Sequence, residues 1–187
     1  MSSATDLREI ALAEFATAGY AGTSIHRIAE LAGLSKSAVL YHYSSKEALL
    51  EAAISPAITT MEAHIARFSS RPFGPETRQE FLEGFVDFLL EHRREVNLFI
   101  NQGPSLVDVP VVDRATEVIR RLADFFESAS PALEDRMRFA VALGGAAYML
   151  CAEQYLEREA QPIDETRVAL VTIITELLAP VGANSTT

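Results

Sequence analysis

The sequence predicts an all-α protein, and three observations carry that prediction. Apolar residues recur at three- and four-residue intervals through most segments, which is the spacing of one helix face. No stretch alternates apolar and polar residues as a half-buried strand would, and no internal repeat is visible. The segments are separated by glycine, proline and hydroxyl-bearing residues of the kind that stop and start helices.

Taken in order, Leu7, Ile10, Ala11, Phe15 and Ala18 form the face of a first helix that Gly19 stops. Thr23-Ser24 is an N-cap signal for a short second helix carrying Ile25, Ile28, Ala29 and Ala32, ended by Gly33. A third helix starts after Ser35 and reaches about Tyr43, with Val39 on its inner face. The fourth opens at Ser44, which has capping-box spacing to Glu47, and runs to about Phe68. Residues 69–75 are a loop, and Pro75 suits the first position of a helix that places Phe81, Phe85, Phe88 and Leu89 on one side. Gly103-Pro104 and Val109-Pro110 mark the next break, before a helix over about 112–128. Ser130-Pro131 caps a helix to about Glu159. After Gln161-Pro162, Asp164 caps a last one that ends at Leu178.

The composition narrows the function. A chain that is 49% hydrophobic and 22% charged is globular rather than disordered. Its longest uncharged apolar run, Phe139 to Ala152, is too short for a bilayer. Asp6, Arg8 and Glu9 interrupt the N-terminus where a secretory leader needs an apolar core, so a cytoplasmic location is expected, with no membrane partner. A single cysteine, Cys151, excludes an internal disulfide and reads as a buried small apolar residue. Four scattered histidines give no zinc cluster, so neither a metal nor any other cofactor is expected.

The net charge of −10 argues against nucleic acid until its distribution is considered. Residues 1–50 hold four cations (Arg8, Arg27, Lys36, Lys46) against five carboxylates (Asp6, Glu9, Glu14, Glu30, Glu47), a balance of −1 that leaves −9 for the remainder. Both lysines of the chain fall in this first segment.

Between Ile25 and Tyr43, Ala29, Gly33 and Val39 have the offsets of a helix-turn-helix. That motif needs a small residue where its helices cross, a glycine in the turn and a branched residue on the second helix. A plain helical hairpin has similar residues. The flanking pattern adds Phe15, Gly19-Tyr20, Thr23-Ser24-Ile25, Ile28-Ala29, Ala32-Gly33-Leu34-Ser35-Lys36, Tyr41-His42-Tyr43 and Ser45-Lys46-Glu47. Together these residues resemble the tetracycline-repressor (TetR) family of bacterial regulators over about residues 7–50. Beyond residue 50 only the length and the helical layout agree.

The resemblance implies a three-helix helix-turn-helix DNA-binding domain over 1–48 and a larger helical ligand-sensing and dimerisation domain over 49–187. It implies a dimeric regulator, a repressor released from operator DNA by a small apolar or aromatic effector of unknown identity. Ser35 to Tyr43 then becomes the recognition helix in the major groove, with Lys36, Ser37 and Ala38 reaching base edges at its leading end. Tyr41 and His42 match positions that contact backbone or adjacent bases, and Lys46 matches a phosphate contact. Thr23 and Ser24 would hold a phosphate at a helix N-terminus, and His26 falls where some relatives contact base or phosphate. The family usually has tyrosine where this chain has Leu40. That residue either makes an apolar contact or packs inward. Tyr41 and Tyr43 have a rival reading as core aromatics, and Lys36 as a solvated surface lysine.

One module with few cations needs a second copy to bind specifically, so a homodimer is expected. Phe139, Leu143, Ala147 and Leu150, facing Val171, Ile174 and Leu178, are the candidate interface, with an intramolecular core as the rival reading. Most phenylalanines between residues 50 and 130 will be core. A subset (Phe85, Phe88, Phe99, Phe125), with His64, Asn101, Gln102 and Tyr148, is the candidate lining of an effector cavity. An enzyme is not expected. No nucleophile elbow, phosphate loop or Cys–His signature is present, and Glu83 with Asp87 reads as a solvated helix face. A helical scaffold without DNA binding is the other reading compatible with the acidic surface.

Overall fold

The computed structural model describes residues 4–103, 106, 109–130, 132–152 and 161–181. Among them are nine helices: α1 (Ala4–Ala18), α2 (Ile25–Ala32), α3 (Lys36–His42), α4 (Lys46–Ser69), α5 (Pro75–Glu91), α6 (Arg93–Gln102), α7 (Pro110–Ala129), α8 (Leu133–Ala152) and α9 (Ile163–Leu178). The all-α expectation is met. Among the described residues no helix is long and apolar enough to cross a membrane.

The helix ends follow local chemistry. Gly19 takes the left-handed conformation (φ 83°) at the end of α1, where an L side chain is strained. Ser24 and Ser35 cap α2 and α3 by accepting from the amides of Arg27 and Ala38. Three expectations need correction. The cap of α4 is Ser45, whose hydroxyl accepts from the Ala48 amide at 3.1 Å, because α4 begins at Lys46 and Ser44 lies one residue too early. The segment from Pro75 is two helices, divided at His92, whose backbone (φ −107°, ψ 33°) leaves the helical region. Asp164 lies in the first turn of α9, not at its cap, because the helix already begins at Ile163. The expected end of α8 near Glu159 lies outside the described residues.

The chain forms two compact units. The first comprises residues 1–59 and 94–116, and the second residues 60–93 and 117–187. In the first, Leu7, Ala11, Phe15, Tyr20, Ile28, Ala29, Val39, Leu49, Leu50 and Leu98 are buried. In the second, Phe68, Phe81, Leu82, Val86, Phe126, Phe139, Ile174 and Leu178 are buried. There α9 is tied to α5 by a two-bonded Arg167–Asp87 pair (2.5 and 3.0 Å) and by Thr175 donating to Gln79 at 3.1 Å. Beside that guanidinium, the Asp87 carboxyl is held below its usual range.

Candidate nucleic-acid interface

The geometry of α2, the turn and α3 follows from a few residues. Ile28 and Ala29 on α2 and Val39 on α3 are buried, and the small Ala29 lets the two helices approach. Gly33 turns the chain in the left-handed conformation (φ 66°, ψ 29°), and the Leu34 amide then reaches back to the Ala29 carbonyl at 2.8 Å. With Val39 inward, α3 turns Lys36, Ser37, Leu40, Tyr41 and His42 to solvent, and Tyr41 is 87% exposed. Tyr41 is therefore not a core aromatic. Its ring meets only the edge of His42, at 5.6 Å between centroids. Ala38 and Tyr43 are half-buried.

The turn between α1 and α2 is held from two sides. Lys46 Nζ donates to the carbonyls of Tyr20 (2.9 Å) and Thr23 (3.0 Å) and lies 4.2 Å from the centroid of the Tyr20 ring. Gln102, at the end of α6, accepts from the Tyr20 amide and donates to the Phe15 carbonyl, each at 2.7 Å. It thereby satisfies an amide and a carbonyl that the end of α1 leaves unpaired. The Tyr20 hydroxyl donates to Glu47 at 3.2 Å. Burial, reinforced by the Glu47 carboxylate, pushes the Tyr20 phenol up to about 12.

These contacts revise several expected roles. Thr23 is buried and its hydroxyl donates to the Gly19 carbonyl at 2.8 Å, so the hydroxyl fixes the turn and is not presented to a phosphate. Two of the three Lys46 donors serve carbonyls, so its first task is to anchor α4 to the turn. Ser24 and Ser35 keep their capping oxygens engaged but lie at the surface. His26 is exposed with Nε2 3.3 Å from Glu30, and Arg27 is paired with Glu14 at 3.2 Å. Between residues 20 and 50, Arg27 pairs with a carboxylate and Lys46 with two carbonyls, and among the described residues Lys36 shows no such partner.

The expected effector lining draws on both units. Phe99, Asn101 and Gln102 belong to the first unit, and His64, Phe85, Phe88, Phe125 and Tyr148 to the second. Gln102 is the clamp just described, and no sequence signal marks that task. Asn101 is exposed and folds back on the Asn97 carbonyl of its own helix, while Tyr148 is 61% exposed. In the second unit the rings fill the space between them. Phe81 lies 5.3 Å from both Phe125 and Phe126, and Phe126 stacks on Phe139 at 4.0 Å. His64 packs against Phe81 at 4.6 Å and donates from Nε2 to its carbonyl at 3.0 Å.

Most of the expected dimer residues are covered within the chain. Phe139, Leu143, Leu150, Ile174 and Leu178 are buried inside one chain, because they are the faces that the second unit needs for its own core. Ala147 and Val171 are half-buried. Among the described residues the exposed apolar stripe lies beside them, at Val141, Gly145 and Met149 on α8 and Ala169, Ile173 and Leu177 on α9. These residues line a groove of about 540 Å³, with Leu150 and Ile174 lining the same groove.

A buried core under an outward, polar-tipped second helix is the geometry of a DNA-binding helix-turn-helix. Residues 7–53 match the family model described as bacterial regulatory proteins, tetR family. The fold recurs in a TetR-family transcriptional regulator from Bordetella parapertussis (21% identity, 98% of this chain and 97% of that one, TM-score 0.69). It recurs also in the ketosteroid transcriptional regulator KstR2 of Mycobacterium tuberculosis (14% identity, 94% and 95%, TM-score 0.69). A TetR-like transcriptional regulator from Rhodococcus sp. RHA1 is similar as well (22% identity, 96% and 94%, TM-score 0.66). At these identities the likeness establishes the fold. No curated protein matches the sequence.

Proposed function

We propose that the chain is a cytoplasmic, homodimeric repressor that leaves its operator when a small apolar or aromatic effector binds. One observation carries the DNA-binding part. The exposed face of α3 gathers Lys36, Ser37 and Tyr41 above a buried Val39, while Ser24 and Ser35 flank it. Lys36 and Ser37 are assigned to hydrogen bonds at base edges and Ala38 to a thymine methyl. Tyr41 and His42 contact backbone or adjacent bases, while Ser24, Ser35 and His26 lie along the sugar–phosphate rim. Thr23 and Lys46 act by holding the turn that presents Ser24 and the start of α2. Residues 1–48 would carry this reading task and residues 49–187 sensing and assembly.

The apolar stripe of α8 and α9 supports dimerisation, since a monomer gains nothing from leaving Val141 64% and Ile173 52% exposed side by side along one groove. The aromatic cluster supports an apolar effector. Half-buried Phe88 and Phe125 border the closed packing around Phe81 and Phe85, and a ligand that parts these rings would favour a conformation that binds DNA poorly. One regulator that shares the fold is named a ketosteroid transcriptional regulator, and ketosteroids are molecules of this apolar kind.

Incubating the full chain with fragments of its host genome at low and moderate salt tests the reading. The expected result is a small set of enriched duplexes sharing one two-fold-symmetric sequence, released as salt rises. Failure to retain any duplex at low salt would overturn the regulator reading.

A further inference from the structure

The DNA-facing surface of α3 contains a residue with no polar atom. Leu40 is 37% exposed and lies four residues after Lys36, on the same flank of the helix, while Val39 beside it fills the core. The other exposed side chains of α3, namely Lys36, Ser37, Tyr41 and His42, each carry a hydrogen-bonding group. An isobutyl group placed against a phosphate would strip water from an anion and return no bond. Most of what the major groove offers is donors and acceptors. The apolar mark among its base edges is the thymine 5-methyl group.

We infer that Leu40 is a specificity-determining residue that reads a thymine methyl in each operator half-site. The inference rests on the DNA-binding reading above. Four residues advance a helix by about 6 Å, and successive bases on a strand lie about 3.4 Å apart. The thymine therefore falls within about two base pairs of the base that Lys36 contacts. A tyrosine at this position carries a hydroxyl that reaches acceptors, whereas leucine exchanges that for a methyl-sized apolar contact. The base preference of this chain is thereby shifted toward A·T at one position without an added hydrogen bond.

The test uses the full-length protein and a duplex enriched from genomic DNA. Each thymine is replaced in turn by deoxyuridine, which removes the methyl and leaves pairing intact. With the native chain, one thymine per half-site loses about fourfold in affinity on replacement, the equivalent of one buried methyl group. Leu40→Ala binds the thymine duplex about fourfold more weakly and no longer distinguishes uracil at that thymine. Leu40→Met, which keeps an apolar side chain of similar volume, retains the distinction and serves as the control should Leu40→Ala melt early. Lys36→Ala also retains it. If the native chain selects a duplex but no thymine is sensitive, or if Leu40→Ala keeps the full sensitivity, the inference falls while the DNA-binding reading stands. If no duplex is retained at all, both fall.

Discussion

Lys46→Met separates a structural from a phosphate-binding lysine, because methionine keeps much of the stem and removes the charge. The substitution deletes two charge-assisted hydrogen bonds, to the carbonyls of Tyr20 and Thr23, and the contact with the Tyr20 ring. Such bonds contribute about 1.5–3 kcal/mol each when well buried. Lys46 is half-buried, and Tyr20 O keeps a second donor, the Thr23 amide at 3.2 Å. The lower end therefore applies and the net loss is about 2 kcal/mol. For a chain of this length that lowers the melting temperature by roughly 4–8 °C. Amide exchange should accelerate locally over residues 20–24. The salt dependence of DNA binding should change by much less than the roughly 0.9 log units that one lost phosphate contact would remove. An unchanged melting temperature together with a slope lowered by about 0.9 would refute this assignment and make Lys46 a phosphate ligand.

Three further outcomes are expected. Burial pushes the His64 imidazole below its ordinary pKa of 6.5. The unfolded chain thus takes up the proton first, and stability is full above about pH 6.5 and declines on acidification. Thermal melts across that range should show a flatter decline for His64→Phe, and a curve parallel to the native one would count against the His64 assignment. Gly84→Ala sets about 1 kcal/mol of helix propensity against an overlap of the new Cβ with His64 Cε1, which costs about 1–3 kcal/mol. The imidazole is pinned between Phe68 and Phe81, so the overlap wins and the variant should melt lower, with stability recovered in a Gly84→Ala, His64→Ala double variant. A stabilised single variant would sink that argument. Finally, Ile173→Glu should yield a folded monomer in sedimentation, whereas Leu150→Glu, which buries a carboxylate in the core, should fail to fold. A native-sized species from Ile173→Glu would move the interface off this groove.

What was legible in the sequence was whatever is encoded by nearest neighbours. Gly19, Gly33, Ser24, Ser35 and Pro75 each act within one helical turn, and each marks a helix end in the structure. Pro56 shows the limit of such signals. A proline normally ends a helix, yet α4 continues through it, losing one amide donor while Ile54, Ala57 and Ile58 remain buried. Long-range tasks left no local trace. Gln102 reaches Phe15 and Tyr20 across more than eighty residues, and nothing in Asn101-Gln102-Gly103 distinguishes it from a loop-proximal polar residue. The dimer stripe is ambiguous for a related reason. Helices α8 and α9 are apolar on more than one side, so periodicity identifies apolar faces without saying which of them the chain itself consumes.

Charge accounting joins the head to its mode of recognition. Between residues 20 and 50, Arg27 is paired with Glu14 and Lys46 with two carbonyls, leaving Lys36, among the described residues, to offer an uncommitted positive charge. Exposed Glu30 adds a repulsive carboxylate beside His26. A surface so poor in cations gains little from counterion release. On the function proposed above, its selectivity rests on what α3 meets at base edges and on doubling that contact through a second copy. A single exposed leucine at the edge of that helix matters more here than it would on a strongly basic one, because on this surface a methyl-sized apolar contact competes with few phosphate contacts.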